Sequence, residues 1–296
     1  MPRRYLQLDV FADRPGAGNP LGVVLDPAGM DTAAMQAFAA WTNLSETIFL
    51  LLPGPGADYR VRIFTPRREL PFAGHPSVGA AWAALDAGLA QSRDGKLVQE
   101  CGAGLLPVRV EGDGDGRHVH VRAPRARAAA SDVAPALVDA ALAGLPRGHL
   151  APALWDNGPR WWLVELADAR AVRAMQPDLA AIAALTRASG AVGLAVYGRA
   201  PAGADHQLAV RAYCPADNIP EDPVTGSANA AIAALLAEAG ALPGDAPRYV
   251  ASQGRELGRD GRLLVEVDAD GEVWIGGQVQ RVIAGNLDWD AAGAAP

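Results

Sequence analysis

One sequence pattern occurs twice, about half the chain apart, and each copy leads into an apolar helix. An offset of 152 residues relates the loop prolines (positions 71 and 223), the helix-opening glycines (74 and 226) and the closing glycines (88 and 240). The aromatic-x-Pro starts, Phe64-Thr65-Pro66 and Tyr213-Cys214-Pro215, are 149 residues apart, so the second loop is three residues longer. The pattern predicts two similar α+β halves. Each half offers a glycine-led helix N-terminus, where free N–H groups and the helix dipole favour an anion.

The length of the chain fits this two-fold organisation. Its 296 residues, half of them hydrophobic, suffice for two domains of about 100–150 residues each. We assign residues 1–125 to an N-terminal lobe, completed by the last strand at about 278–296, and residues 126–277 to a C-terminal lobe. The segment 124–132 is rich in alanine and arginine and lacks a strand pattern, so it is the predicted crossing between the halves.

Charge and cysteine content exclude several classes of function. The net charge is −7 and no run is rich in lysine or arginine, so we expect neither a nucleic acid nor a membrane as partner, but a small-molecule substrate. The N-terminus lacks the apolar core of a signal peptide, and no apolar stretch reaches the roughly 20 residues that span a bilayer. Cys101 and Cys214 are too few for a disulfide framework, and no Cys/His cluster offers metal ligands. We therefore expect a cytoplasmic protein without a metal.

Hydrophobic periodicity predicts strands and helices in alternation, with hairpins. Strands are predicted at 5–10, 21–25, 48–52, 59–64, 105–111, 118–122, 161–165, 193–197, 207–213, 263–267, 271–275 and 279–283. Helices are predicted at 31–41 with Asp31 as N-cap, at 77–87, 135–143, 169–176 and 178–188, and in the second copy of the repeat. This alternation of strands and helices favours an α+β fold with two pseudo-symmetric lobes and a cleft between them.

Glu46 is the first candidate for chemistry. It lies where a predicted helix gives way to a strand, among Asn43, Ser45 and Thr47, in a setting that suits a general acid or base. The alternative interpretation is a solvated glutamate in a turn. The repeat offset of 149 places an alanine at position 195, so any catalysis by Glu46 would use one base that removes and returns the same proton.

The two repeat helices supply the other candidates. His75 begins the first helix and could polarise a substrate oxygen or transfer a proton, or it could simply cap the helix. In the second copy, Glu221 and Asp222 precede Thr225-Gly226-Ser227, which combines acids with anion-binding amides. The alternative there is a capped helix with acids that the dipole favours. Trp155, Trp161 and Trp162 could line a cleft, although such clusters usually belong to a core.

Five motifs in order, over nearly the whole chain, resemble the PhzF-like family of phenazine biosynthesis proteins. They are Gly18-Asn19-Pro20, Asn43-Leu44-Ser45-Glu46-Thr47, Phe64-Thr65-Pro66 with Glu69-Leu70-Pro71-Phe72-Ala73-Gly74-His75-Pro76, Asn157-Gly158-Pro159-Arg160, and Glu221-Asp222-Pro223-Val224-Thr225-Gly226-Ser227-Ala228. The resemblance implies a diaminopimelate-epimerase-like fold, in which each lobe wraps a mixed β-sheet round a central helix, and a homodimer. The best understood member isomerises dihydro-hydroxyanthranilate without a metal or an organic cofactor.

Carried over by motif, the resemblance implies roles for individual residues. Glu46 would be the acid/base that moves the proton, and His75 and Asp222 would polarise or hold substrate groups. Backbone amides at Gly74-His75 and Gly226-Ser227 would bind the substrate carboxylate. Ser45 and Asn19, in matched motifs, complete the implied substrate-binding set.

The resemblance is accompanied by a contrast with related racemases, one departure from the family pattern and two alternatives. Racemases of this fold use a cysteine from each lobe, but here Ala73 and Thr225 precede the helix glycines, which argues against a two-cysteine racemase. The family's late Gln-Gly…Gly-Arg-Pro motif has Asp260 in place of the proline, so that loop could differ in shape. A non-catalytic binding or interaction protein, and an epimerase of another acid, stay open as alternatives.

Overall fold

A computed structural model describes residues 3–244 and 247–289, which divide into two compact units. The first unit contains the described residues up to Arg122 and those from Gly276 onward, and the second contains Ala123–Ile275. The stretch 290–296, which the sequence analysis assigned to the N-terminal lobe, lies outside the described residues. No helix within the described residues is long and apolar enough to cross a membrane.

The described residues alternate strands with a small number of helices. The strands are β1 (Arg3–Val10), β2 (Asn19–Val24), β3 (Glu46–Leu51), β4 (Tyr59–Phe64), β5 (Glu69–Leu70), β6 (Lys96–Cys101), β7 (Gly104–Glu111), β8 (His118–Arg122), β9 (Arg127–Ala128), β10 (Ala153–Asp156), β11 (Arg160–Glu165), β12 (Gly193–Arg199), β13 (Leu208–Cys214), β14 (Ile219–Asp222), β15 (Arg248–Gln253), β16 (Gly261–Val267), β17 (Val273–Gly277) and β18 (Val279–Leu287). The helices are α1 (Thr32–Thr42), α2 (Gly74–Asp86), α3 (Pro135–Ala141), α4 (Ala169–Ala174), α5 (Leu179–Ser189) and α6 (Gly226–Glu238).

The first unit is a mixed sheet wrapped round the central helix α2. Strand β1 pairs antiparallel with both β2 and β18, β2 pairs parallel with β3, and β4 pairs antiparallel with β3 and parallel with β6. The hairpins β6–β7 and β7–β8 extend the sheet. Helix α2 is buried from Gly74 to Ala84 because small residues let strands approach it from several sides. At Gly79, a Cβ atom would come within 2.3 Å of the Leu21 side chain.

The second unit repeats this plan round α6. Strands β10, β11, β12 and β13 pair in sequence, with β11–β12 parallel, and β13 also pairs parallel with β15. Helices α4 and α5 pack on β12 and β13. They cover an apolar cluster that includes Trp162, Ile182 and Leu194, each less than 7% exposed.

The repeat read from the sequence corresponds to the two central helices. Helices α2 and α6 are both 13 residues long and begin at the predicted glycines, Gly74 and Gly226. The closing glycines, Gly88 and Gly240, adopt the left-handed conformation (φ +70° and +61°) that ends a helix without a Cβ clash. The predicted α+β class with a helix at the centre of each sheet is confirmed.

Some local expectations were wrong. The segment 124–132 is not free of β structure, since β9 pairs with β10 through Ala128 and Trp155. Strands β5, β6, β10, β14 and β15 were not predicted, because two- to six-residue strands with few alternating side chains give little periodic signal. The predicted N-cap is confirmed, because the carboxylate of Asp31 accepts a hydrogen bond of 2.8 Å from the N–H of Ala34.

Candidate active site

Glu46 and His75 meet in the first unit. Glu46 begins β3, and His75 is the second residue of α2. His75 Nδ1 lies 3.5 Å from Glu46 Oε2, and the two side chains are only 7% and 17% exposed. The alternative of a solvated surface glutamate is therefore wrong. The fold brings a carboxylate and an imidazole together across 29 residues of sequence.

The imidazole of His75 is neutral at physiological pH. Burial lowers its pKa to about 3, and a hydrogen bond to the Pro20 backbone offsets this only in part. Its Nε2 atom is buried and has no hydrogen-bond partner among the described residues. The contact with Glu46 is therefore not an ion pair, and His75 does not neutralise the carboxylate. His75 is also not a helix cap, because the N-cap residue is Ala73.

The buried, neutral His75 is expected to make the free energy of unfolding depend on pH. Its pKa is about 3 in the folded state and about 6.5 in the unfolded state. Between these two values, His75 binds a proton in the unfolded chain but not in the folded chain. Stability from this group is present above pH 6.5 and is lost as pH falls, by about 2 kcal/mol at pH 5.

Urea unfolding at pH 7 and pH 5 measures this loss, with His75→Gln as the comparison. The variant should lose about 2 kcal/mol less than the wild type over this interval. Equal losses in the two proteins would show that His75 is protonated with an ordinary affinity in the folded state.

The loop before Glu46 is held by several local hydrogen bonds. Helix α1 ends at Asn43 in the left-handed conformation (φ +52°), which turns the chain into β3. Ser45 Oγ donates to Asn19 Oδ1 at 3.1 Å, and Asn19 is 1% exposed. The hydroxyls of Thr42 and Thr47 are 3.0 Å apart. Asn19 begins β2 and Ser45 immediately precedes β3, so the parallel pairing of these strands places both residues beside Glu46.

Both central helices begin without a side-chain cap. The N-cap residues Ala73 and Thr225 make no side-chain cap hydrogen bond, and neither helix has an acid in its first turn. The amides that follow, at Gly74-His75 and Gly226-Ser227, retain the partial positive charge that attracts anions. The alternative of a capped second helix is therefore wrong.

In the second unit, Asp222 ends β14 and faces the start of α6. Thr225 Oγ1 donates to Asp222 Oδ2 at 2.5 Å. Two hydrogen bonds from the β10–β11 hairpin hold Ser227. Trp161 Nε1, in β11, donates to its hydroxyl at 3.1 Å, and Asn157 Nδ2, in the turn between the strands, donates to its carbonyl at 2.9 Å. Glu221 points elsewhere and forms an ion pair with Arg211.

The tryptophan cluster belongs to the core of the second unit. Trp155, Trp161 and Trp162 are 2%, 2% and 6% exposed. The interpretation as core is therefore correct, although Trp161 also reaches Ser227.

A buried glutamine that was not predicted from the sequence lies beside Asp222. Gln253 ends β15 with no exposed surface and hydrogen-bonds to Asp222, Thr225 and Asn229. The signal was present, because Gln253-Gly254 opens the late motif. What the sequence did not show is that this motif packs against the Asp222 loop.

Asp260, which replaces the motif's proline, is tied into an ion network. Arg255 Nε donates to Asp260 Oδ1 at 2.8 Å, and Arg262 lies 3.3 Å from the other oxygen. The loop that carries Arg255 contains a short 3₁₀ turn, Arg255–Leu257. This turn is flanked by Gly254 and Gly258, which are both in the left-handed conformation. Charge pairing therefore fixes the end of this loop.

Neither cysteine belongs to the start of a central helix. Cys101 ends β6 and Cys214 ends β13. Burial raises the pKa of the Cys101 thiol, which keeps it protonated and a poor base. Among the described residues, no group of three or more His, Cys, Asp or Glu side chains is placed to hold a metal ion.

Curated relatives cover nearly the whole chain. Trans-2,3-dihydro-3-hydroxyanthranilate isomerase from Pseudomonas aeruginosa is 35% identical over 269 residues, which is 91% of this chain and 92% of the relative. Antisense-enhancing sequence 1 from Schizosaccharomyces pombe is 32% identical over 292 residues, 95% of this chain and 97% of the relative.

Solved structures agree with the fold. The PhzF family phenazine biosynthesis protein from Bacillus anthracis matches with a TM-score of 0.81 and 25% identity, over 97% of this chain and 99% of that chain. A hydroxyproline epimerase from Agrobacterium vitis matches with a TM-score of 0.63 over 99% of this chain and 96% of that chain. At 14% identity, the epimerase shows the shared fold alone.

The family model described as "Phenazine biosynthesis-like protein" matches residues 8–285, which contain Glu46, His75, Asp222 and Gln253. Together with relatives above 30% identity over nine-tenths of the chain, this match covers both units and both central helices. The chain belongs to the PhzC-PhzF family of phenazine biosynthesis-like proteins.

Proposed function

We propose that this protein is an isomerase that moves a proton within a small carboxylate-bearing molecule, with trans-2,3-dihydro-3-hydroxyanthranilate as the first substrate to test. The observation that carries the proposal is the mostly buried Glu46 carboxylate 3.5 Å from a neutral His75. The name of the relative from Pseudomonas aeruginosa, an isomerase 35% identical to this chain, supports the reaction class.

Glu46 is proposed as the general base and then the general acid. It takes a proton from one carbon of the substrate while the electron pair of that C–H bond shifts into the conjugated system. It then returns the proton to another carbon, so that the product is an isomer and nothing is oxidised or reduced. A carboxylate that is 17% exposed and not neutralised by His75 suits this role, because limited water contact retains the proton between the two steps.

His75 is proposed to assist at a substrate oxygen. A neutral imidazole can donate or accept one hydrogen bond at an oxygen without adding a charge. The buried Nε2 atom, which has no hydrogen-bond partner among the described residues, is the atom proposed for this contact. In the first unit, the amides at Gly74-His75 are proposed to bind a substrate carboxylate, and Asn19 and Ser45 to complete the contacts. In the second unit, the amides at Gly226-Ser227 are proposed as the equivalent anion-binding groups, and Asp222 as the acceptor for a donor group of the substrate.

Proton NMR in deuterium oxide tests the proposal. The purified protein should convert trans-2,3-dihydro-3-hydroxyanthranilate to an isomer, and the product should carry deuterium at the new C–H position to the extent that Glu46 exchanges with solvent. A protein-free sample gives the uncatalysed rate. Absence of conversion above that rate would exclude this substrate, and conversion with release of a fragment would exclude isomerisation.

A further inference from the structure

The start of the second central helix contains a hydrogen-bond network that the proposed reaction does not by itself explain. Gln253 has no exposed surface, and Asn229 and Thr225 are 1% and 7% exposed. Gln253 Oε1 accepts from Thr225 N and from Asn229 Nδ2, both at 3.0 Å, and Gln253 Nε2 donates to Asp222 O and to Thr225 Oγ1, both at 2.9 Å. One side chain therefore makes four hydrogen bonds, two donated and two accepted, which is the full capacity of an amide.

The network fixes the orientation of the glutamine amide. A backbone N–H such as that of Thr225 can only donate, so the atom that faces it must be the glutamine oxygen. A backbone carbonyl such as that of Asp222 can only accept, so the atom that faces it must be the glutamine nitrogen. The two constraints agree, which leaves a single orientation of Gln253.

This orientation decides where the Thr225 hydroxyl proton lies. Gln253 Nε2 already donates to Thr225 Oγ1, so the one proton of the hydroxyl is directed to its other neighbour. That neighbour is Asp222 Oδ2, at 2.5 Å. The order of donation therefore runs from Gln253 to Thr225 to Asp222, whose Oδ2 atom is the acceptor.

The first unit offers an internal comparison. Ser77 lies at the position of α2 that corresponds to Asn229 in α6, 152 residues later, and Gln99 on β6 donates to its hydroxyl at 3.0 Å. Gln99 is held on its other side by Tyr59, at 3.1 Å. A buried glutamine thus joins the central helix in each unit, whereas the bonds from Gln253 also reach the loop that carries Asp222.

Glycine keeps this loop and the late motif close together. A Cβ atom on Gly254 would come within 2.6 Å of the Pro223 carbonyl oxygen, and its φ of +92° suits glycine. The residue after Gln253 therefore permits the approach on which the hydrogen bonds depend.

We infer that Thr225, oriented by Gln253, is a positioning residue that fixes the Asp222 carboxylate for substrate. The inference rests on the proposed function, because it assumes that Asp222 contacts the substrate. The hydroxyl of Thr225 is committed to Asp222 and does not itself act as a base.

The test compares variants that differ in one hydroxyl group. Thr225→Val removes the hydroxyl but keeps the backbone groups that bond to Gln253 and Asn229, and Thr225→Ser keeps both. Thr186→Val is the matched control, since Thr186 is another buried threonine of the second unit, with no exposed surface, and its hydroxyl donates to Ala183 O at 3.2 Å. Thermal unfolding of each variant shows how much stability the lost hydroxyl contributes at each site.

The first measurement needs no substrate. Carbon-13 NMR at neutral pH on protein labelled at the aspartate carboxyl carbons gives the Asp222 signal, assigned from Asp222→Asn. We expect Thr225→Val to move this signal, and Thr225→Ser and Thr186→Val to leave it in place. An unmoved signal in Thr225→Val would overturn the inference, whatever the protein turns over.

The second measurement is kcat and KM with trans-2,3-dihydro-3-hydroxyanthranilate. We expect Thr225→Val to lose about tenfold to a hundredfold in kcat/KM, which is the effect of a misplaced active-site group, and Thr225→Ser to recover most of it. Equal values for Thr225→Val and Thr186→Val would overturn the positioning role even if the NMR signal moved. If the wild type shows no turnover, the proposed substrate fails and the NMR result alone decides the inference.

Discussion

Glu46→Gln is expected to fold normally and to lose turnover by about 10²- to 10⁴-fold, the range that general acid–base catalysis contributes. Glutamine has the shape of glutamate and can still hydrogen-bond, but it cannot accept and return a proton at neutral pH. Because position 195, the counterpart in the second repeat, is an alanine, the chain has no second carboxylate at the equivalent place to take over. Substrate binding should change far less than kcat.

The measurement is conversion and deuterium incorporation by NMR, with circular dichroism to verify folding. Glu238→Gln makes the same chemical change at the exposed last residue of α6 and should retain wild-type turnover. Turnover by Glu46→Gln equal to that of Glu238→Gln would exclude Glu46 as the proton carrier. Loss of binding together with turnover would instead indicate that Glu46 holds the substrate.

Glu221→Ala is expected to lower the free energy of unfolding by about 3–5 kcal/mol, because the carboxylate that then remains beside the buried Arg211 guanidinium, that of Glu256, is 3.8 Å away. Arg211 Nε and Nη2 donate to the two oxygens of Glu221 at 2.9 and 2.8 Å, and the side chains are 7% and 8% exposed. Arg211 also donates to the Met175 carbonyl at 2.7 Å and so joins the end of α4 to β14. Glu221 immediately precedes Asp222 in the sequence.

Urea unfolding provides the test, with an exposed ion pair as the control. Arg4 and Asp26 are 2.8 Å apart but each is 47% exposed, so Asp26→Ala should cost no more than about 1 kcal/mol. The double variant Arg211→Met with Glu221→Leu should be more stable than Glu221→Ala alone, because no unpaired charge remains. A loss below 1 kcal/mol in Glu221→Ala would show that water reaches Arg211 readily.

The features predictable from the sequence were those that local patterns or spacing determine. Gly74 and Gly88 are spaced like Gly226 and Gly240, and this spacing predicted two matching helices. The prediction worked because the closing glycine of each helix adopts a left-handed conformation, which is a local property of the chain. Glu46 was singled out because a carboxylate at the start of a strand is a local pattern. Its proximity to His75 depends on how β3 and α2 pack, which spacing alone does not determine.

Gln253 marks the limit of prediction from the sequence. It is 28 residues from Thr225, and its four hydrogen bonds depend on the parallel pairing of β13 with β15 and on the loop after β14. Neither strand β14 nor strand β15 was predicted, because Ile219–Asp222 contains a proline and Arg248–Gln253 lacks clear alternation. The partners of a buried polar side chain are set by tertiary structure, whereas its presence is visible in the sequence.

The pairing of β18 with β1 has a consequence for folding during synthesis. Domains usually fold in the order in which the ribosome releases them. Here β18, which pairs with β1 along eight positions and also packs on α2, follows the whole second unit in the chain. The second unit is continuous in sequence, so all of it is made before β18. The unit that begins to emerge first is therefore completed second, and the edge of β1 that β18 covers stays unpaired until Val279–Leu287 has emerged.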